Sequence, residues 1–543
     1  MDNQRYSTEK EIKKVLCEEG KGVGGAVLYR EDGKNYMLGG EQHCAYVGVS
    51  GSGKTRSGTL PLTRSIIEAG ESAIVVDPKG DLYYETSEYA REKGYTVRVI
   101  NMRDVFSSNS VNFLWYPYQL YISGDVHKKE TAEKLVNNIA DSLFPINRTD
   151  PFWQFSARSV FVGATLALFE SGREDEINMT SVYNLIAHGD KRFSSNTYLS
   201  ELTDIQKNPV SKMQLHSYLN TASETKGSIR SNFLQGISVF AQTEGMMSFG
   251  SIDDLYIEDF DGAGKVMIYI IMPDETDVFS AQCGLLVNQL VTHFIQIAHE
   301  KYGGRLPVRL NLILEELFSI GSAIPSLPQI LSSARSRNIR VHYVLQTLSQ
   351  LTDLYGESNA QTIIGNTDAI IAFRTNNWNT LTYLSQMCGE RHIEYNGTFI
   401  KDALITPAQL AAMKTGQALV LISGRTKFVT WLPDYTEIFD CSDHKPPETF
   451  NSRNNLKPSV FNIEEYVKEK KREKMLSELE NSSTRNVCRR GPSPEEDMFM
   501  GERLNEFIER QMRDIDERIR ELDEMEAQKK KNRKNKKENP LED

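Results

Sequence analysis

Residues 48–55 read Gly48-Val49-Ser50-Gly51-Ser52-Gly53-Lys54-Thr55. The octapeptide fits G-x-x-x-x-G-K-[ST], the spacing of a phosphate-binding loop. Its flanks decide the fold. Cys44-Ala45-Tyr46-Val47 in front is apolar enough for a short strand, and the run 54–69 behind reads mostly as helix. Strand, glycine-rich turn and helix in that order predict an α/β domain with a P-loop. Gly48, Gly51 and Gly53 let the backbone bend so that its N–H groups, with those of Val49, Ser50 and Ser52, face phosphate oxygens. The helix N-terminus adds a partial positive charge. In this pattern Lys54 reaches the β- and γ-phosphates and Thr55 holds Mg²⁺, so ATP and Mg²⁺ are the expected cofactors.

A second motif supports the first. Asn311-Leu312-Ile313-Leu314-Glu315-Glu316 is an apolar strand ending in paired carboxylates. Beside a phosphate loop, the first carboxylate supports the Mg²⁺ shell and the second takes a proton from the attacking water. Glu315 and Glu316 are given those roles. A further strand, 341–345, ends in Gln346, which either senses the γ-phosphate and positions the water or caps the next helix. Asp77 ends the strand 72–76, expected beside the loop. It either joins the Mg²⁺ water network or caps the tight Asp77-Pro78-Lys79-Gly80 turn.

Composition sets the outer bounds. A chain of 543 residues exceeds one small domain, and 39% hydrophobic with 25% charged residues is ordinary for a globular protein. The six cysteines are scattered without metal-ligand spacing, which points to a reducing compartment. No H-E-x-x-H or similar histidine cluster occurs. Met1-Asp2-Asn3-Gln4-Arg5 starts no signal peptide, and the longest strongly apolar run, 266–272, is far short of the ~20 residues of a membrane span. A net charge of −11 argues against a surface coated in DNA-binding charge, but not against a basic channel inside an oligomer.

Pattern divides the chain into five parts. Residues 1–40 form an N-terminal segment with a short helix at 8–17 and a loop at 20–25. Residues 41–115 alternate strands and helices and carry the phosphate loop. Residues 116–255 turn mostly helical. Residues 256–440 return to strand-helix alternation and carry the acidic motif. Residues 441–543 form a charged helical, partly disordered tail. A helical insert within one α/β domain explains this better than separate domains. In the tail, Leu504, Ile508, Met512, Ile515, Ile519 and Leu522 fit either a coiled coil or a solvated amphipathic helix. A basic block follows at 529–537.

Taken together, GVSGSGKT, VVDPKGDL, LILEEL and SARSRNIRVHYVLQTLSQLTDLYG resemble the coupling-protein family of type IV secretion systems. Asp150-Pro151-Phe152-Trp153, the stretch 361–366 and the stretch 416–422 resemble it too, so the likeness covers about residues 20–437. The resemblance implies a RecA-type P-loop NTPase: a hexameric, ATP-driven motor of conjugation. Such a motor recruits relaxase-bound DNA, single-stranded or duplex, and protein substrates to the secretion channel, and the helical insert receives the cargo. Arg335 is then the candidate finger for a neighbour's γ-phosphate, or a surface arginine that binds DNA or a carboxylate. Two departures stand out. The family usually begins with membrane-spanning helices and has Asp-Glu where this chain has Glu315-Glu316. The expected location is cytoplasmic, peripheral at the inner face of the cytoplasmic membrane, tethered by a membrane-anchored partner or by the basic block. Other readings are a different hexameric DNA translocase, or a nucleotide-gated recruitment adaptor with little turnover.

Overall fold

Short runs rich in Val, Ile and Leu, separated by helices, assemble one nine-stranded sheet. The computed structural model describes residues 4–146, 150–273, 275, 278–320, 324, 326–395, 398–423, 426–439, 445–447 and 457–487, with the isolated positions 506, 510, 513 and 517. Two compact units divide it: 1–111 with 252–456, and 112–251 with 457–543.

In the first unit the sheet strands are β1 (Cys44–Val47), β2 (Ser72–Val76), β3 (Thr96–Asn101), β4 (Val266–Ile271), β5 (Leu310–Leu314), β6 (Ile339–Leu345), β7 (Ala369–Ala372), β8 (Gln417–Ile422) and β9 (Thr426–Trp431). Their spatial order is β9-β8-β7-β1-β6-β5-β2-β4-β3. The seven strands from β7 to β3 run parallel, and β8 and β9 add an antiparallel edge. β2, β4, β5 and β6 are buried along their whole length, the pattern of parallel strands covered on both faces. Parallel alignment brings the ends of β1, β2, β5 and β6 to one edge, where open α/β sheets bind ligands.

The opposite edge is closed by a buried polar node. Arg340, on β6, is among the largest fully buried side chains. Its Nη2 donates to Glu71 Oε2 at 2.6 Å, its Nε to Asn311 Oδ1 at 2.9 Å, and its Nη1 to the carbonyls of Gly24 and Gly40 at 2.9 and 3.1 Å. Asn311 Nδ2 returns a bond to Glu71 Oε2 at 3.0 Å, and Arg309 Nη1 reaches Glu71 Oε1 at 3.2 Å. Two of these acceptors, Gly24 and Gly40, flank a small antiparallel sheet of Cys17–Glu18, Lys34–Leu38 and Ala26–Glu31. The helix expected at 8–17 is present as Glu9–Val15, and 20–25 is loop as expected, while the strands at 26–31 and 34–38 have no counterpart in the sequence reading. Their hairpin signal is Asp32-Gly33, both with positive φ, a pair suited to a two-residue turn.

The second unit is helical. Asp125, Asn178 and Asn208 cap three of its helices, Val126–Leu143, Met179–Gly189 and Pro209–Leu219, with side-chain oxygens. Phe152–Ser171 is its axis, buried almost continuously from Ala157 to Phe169. A segment from the expected tail also belongs here. Phe461, Ile463 and Val467 are buried, and the helix Ile463–Val487 lies against Met179–Gly189 and Tyr198–Ile205. Phe461 N donates to Ser181 Oγ at 3.0 Å, and Lys191 pairs with Glu464 at 2.7 Å. The sequence pattern ends the insert at 255 because a segment two hundred residues downstream leaves no mark in local periodicity. The apolar positions of the 504–522 pattern and the basic block 529–537 lie outside the described residues. Among the described residues, no helix is long and apolar enough to cross a membrane.

Replacing one member of the buried node leaves the other charge without compensation. Glu71→Leu is expected to lower the stability of the first unit by about 3–5 kcal/mol in denaturant unfolding. The double variant Glu71→Leu/Arg340→Met should lose less than the single one, because the fully buried guanidinium goes with its carboxylate and only the part-exposed Arg309 loses a partner.

Candidate active site

The end of β1 feeds the phosphate loop, and neighbouring strands grip it from both sides. Gly48 N donates to Leu345 O on β6 at 3.1 Å, and Val49 N donates to Arg374 O beyond β7 at 3.0 Å. Gly53 stands at φ 103°, a conformation costly for any side chain. From there the chain enters a wide helical turn, Lys54–Thr59, continuous with the helix Leu60–Ala69. Lys54 Nζ donates to the carbonyls of Gly48 and Val49 at 2.6 and 2.9 Å. Burial lowers its pKa, while Glu315 and Glu316 oppose the shift.

Thr55 Oγ1 donates to Glu315 Oε1 at 2.6 Å. This bond joins the two sequence motifs across β6, which lies between β1 and β5. Glu315 N is itself held by Val76 O at 3.0 Å. Burial raises the Glu315 pKa, against the pull of the Thr55 hydroxyl and the Lys54 charge. Its second oxygen, Oε2, is buried without a hydrogen-bond partner, as is Ser52 Oγ in the loop. A hydroxyl and a carboxylate in contact, with a carboxylate oxygen left over, is a donor set that fits Mg²⁺. The extra methylene of glutamate does not keep Glu315 from Thr55.

Glu316 follows in a left-handed backbone conformation, φ 55°, rare for a non-glycine residue and frequent at functional sites. Its carboxylate pairs with Lys79 Nζ at 3.2 Å. Gln346, exposed at the end of β6, sits between the loop strand and the Glu315 strand, with its N–H on Gln350 Oε1 at 2.8 Å.

Asp77 and Arg335 take, in their own chain, the second of the two roles read for each. Asp77 does not end the strand beside the loop: β6 and β5 separate β2 from β1. Its carboxylate accepts from Gly80 N at 3.1 Å and Tyr83 N at 2.9 Å, so it caps its own turn and the helix Asp81–Glu92. Burial raises its pKa to about 7, and the neighbouring Glu315 and Asp81 charges push the same way. Arg335 precedes β6 and so lies at the opposite edge from the loop of its own chain, where its Nη2 pairs with Asp368 Oδ2 at 2.6 Å. The periodicity of a sequence places a residue on a strand but not at one end of the finished sheet. Lys79 has no role in the sequence reading, although it stands inside the quoted Asp-Pro-Lys-Gly motif. The capped turn is what presents it to Glu316.

Comparison with known proteins gives a consistent picture. The profile of the family described as Type IV secretory system Conjugative DNA transfer matches residues 1–428. Protein VirD4 of Rhizobium radiobacter is 22% identical over 414 residues, covering 72% of this chain and 56% of that relative. The chain thus spans little more than half of that relative's length. Among solved structures, the bacterial conjugative coupling protein TrwBdeltaN70 with sulphate superposes at TM-score 0.60 with 17% identity, over 80% of this chain and 94% of the other. The plasmid coupling protein TrwB with ADP and Mg²⁺ superposes at 0.59 with 16% identity, over 85% and 96%. Identities this low establish a shared fold.

Asp77 carries a pH signature. Its folded pKa near 7 lies above the ordinary aspartate value of 3.8. Its contribution to stability is therefore complete below about pH 4 and is lost as pH rises through 7. Asp77→Asn should flatten this part of the profile. The drop in melting temperature between pH 5 and pH 8 is expected to be smaller in the variant than in the parent, and an unchanged drop would contradict the assignment.

Proposed function

We propose that this chain, which belongs to the type IV secretory system conjugative DNA transfer family, is an ATPase motor that brings DNA-bound cargo to a transfer channel. The observation that carries the reading is the 2.6 Å bond from Thr55 Oγ1 to Glu315 Oε1, which sets the phosphate loop and the acidic strand in one site. Nucleotide and metal are also seen in the fold relative: TrwB is described in complex with ADP and Mg²⁺ and with non-hydrolysable ATP and GTP analogues.

The residues divide the work by position. The loop amides and Lys54 bind the β- and γ-phosphates. Thr55 and Glu315 would hold Mg²⁺, which supplies charge neutralisation of the phosphate oxygens when bound. Glu316 takes the proton of the attacking water, and Gln346, exposed at the strand end between, orients that water. Asp77 and Arg335 stand outside this set in their own chain, one spent on a turn and the other paired with Asp368. The helical unit, which carries no nucleotide motif, is the part we assign to cargo, relaxase-bound DNA and protein. Assembly as a hexamer, and tethering at the inner face of the cytoplasmic membrane by an anchored partner, complete the proposal.

Lys54→Ala should abolish ATP binding. Glu316→Gln, nearly isosteric but unable to take a proton, should bind ATP like the parent and lose about 10²-fold or more in turnover. Glu315→Gln should weaken binding only when Mg²⁺ is present. Turnover at the parent rate in Glu316→Gln would remove it as the base.

DNA separates a motor from a nucleotide-gated adaptor. Turnover is expected to rise with single-stranded or duplex DNA, and a DNA-indifferent basal rate would favour the adaptor. Recovery of the chain with membranes should depend on co-expression of the other transfer proteins. Equal membrane recovery without them would count against a protein tether.

A further inference from the structure

The loop has two flanks. Thr55 meets Glu315 on the side of β6 and β5, so the γ-phosphate and metal end of a nucleotide lies there. The base of the same nucleotide then leaves toward the other flank, that of β7, β8 and β9. This flank is built with some care. Gly416 N lies 3.4 Å from Ser52 O, and Gly416 O accepts from Leu432 N at 2.8 Å. Gly416 stands at φ +83°, and a side chain there would meet Leu432 O at 3.2 Å and Trp431 Cε3 at 3.8 Å. A β-carbon on Gly53 would meet Gly416 N at 3.4 Å. The 416 turn is thus packed directly on the loop, and Trp431 is packed on the turn.

Trp431 closes β9 opposite Gln417, at the same edge of the sheet as the loop, and the residue is 57% exposed. Three residues on, Asp434 receives a bidentate bond from Arg56, Nε and Nη2 both at 2.6 Å. Arg56 is the residue after the loop's Lys54-Thr55, so this pair links the chain around Trp431 to the start of the loop helix. Trp431 is thus placed beside the 416 turn that packs on the loop, and more than half of the residue is left to solvent.

We infer that Trp431 is the platform on which the base of the bound nucleotide stacks. The inference rests on the phosphate-loop reading and extends it to the base. Stacking requires only a π face, so the site accepts purine nucleotides as a class and draws little distinction between adenine and guanine. The Gly416 turn and the Arg56–Asp434 pair set the distance from phosphate to platform.

The test compares a nucleotide with the same charge lacking a base. Affinities for ATP and for inorganic tripolyphosphate are measured by calorimetry in the full chain. Trp431→Ala is expected to weaken ATP about 5- to 160-fold, the range for one stacked base, with tripolyphosphate unchanged. Trp431→Phe should restore most of the ATP affinity. Parent-like ATP affinity in Trp431→Ala overturns the inference, and so does an equal loss of both ligands, which would make the indole a support of the loop. Lys54→Ala is expected to lose both ligands. If it loses neither, the phosphate-loop reading fails and this inference with it.

Discussion

The guanidinium of Arg340 is the point around which the first unit closes. It is buried on β6 and spends its donors on a carboxylate, an amide oxygen and backbone carbonyls. Those partners come from β2's approach, from β5 and from both ends of the small N-terminal sheet. A lysine offers neither the planar fork nor the number of donors, so the geometry is specific to arginine. Desolvating such a charge is expensive, and only near-complete pairing makes it tolerable. The strands that carry the phosphate loop and the acidic pair are therefore held in mutual register from the edge farthest from the chemistry. His342 and His43 sit beside this charge. Burial and the nearby arginines pull both pKa values down, that of His43 to about 4 with some opposition from Asp368, and both rings stay neutral at physiological pH.

The Arg340 node and the phosphate-loop site contrast in how their polar atoms are satisfied. In the node itself the guanidinium spends each of its nitrogens on an acceptor. At the loop edge Ser52 Oγ and Glu315 Oε2 are buried without partners, Glu316 holds a strained backbone, and its ion pair with Lys79 is partly exposed. Exposed pairs of this kind are worth about 0–1 kcal/mol, so Glu316 is released cheaply. A strained residue and buried oxygens without partners at the loop edge are features that a site for a charged ligand can use.

Much of this was legible from residues alone, for identifiable reasons. The phosphate loop and the Glu315-Glu316 strand end are local signals, each a few residues long, and their meeting follows from parallel strands. Strand order is not local, and Asp77 was misplaced because the order β1-β6-β5-β2 is set by packing that no short window contains. Arg335, read either as a finger toward a neighbour or as a surface arginine on a carboxylate, stands in its own chain on the carboxylate of Asp368. The hairpin at Asp32-Gly33 had a readable turn that apolar periodicity did not reveal. The wall formed by Gly416, Trp431 and Asp434 depends on an antiparallel edge folding back over the loop, and a scan for phosphate chemistry passes over it.

The helical unit is assembled from two stretches of chain, 112–251 and a segment beginning at 457. During synthesis the first stretch emerges well before the helix that covers Met179–Gly189 and Tyr198–Ile205. At ribosomal speeds the interval of about 200 residues lasts on the order of 10–40 s. Throughout it, the surface later sealed by Phe461, Ile463 and Val467 faces the cell. The same interval is when the intervening stretch completes the sheet of the first unit. The helical unit is therefore completed only after the sheet strands of the first unit have all been made, and a nascent chain stalled before 457 has every sheet strand but an unfinished helical unit.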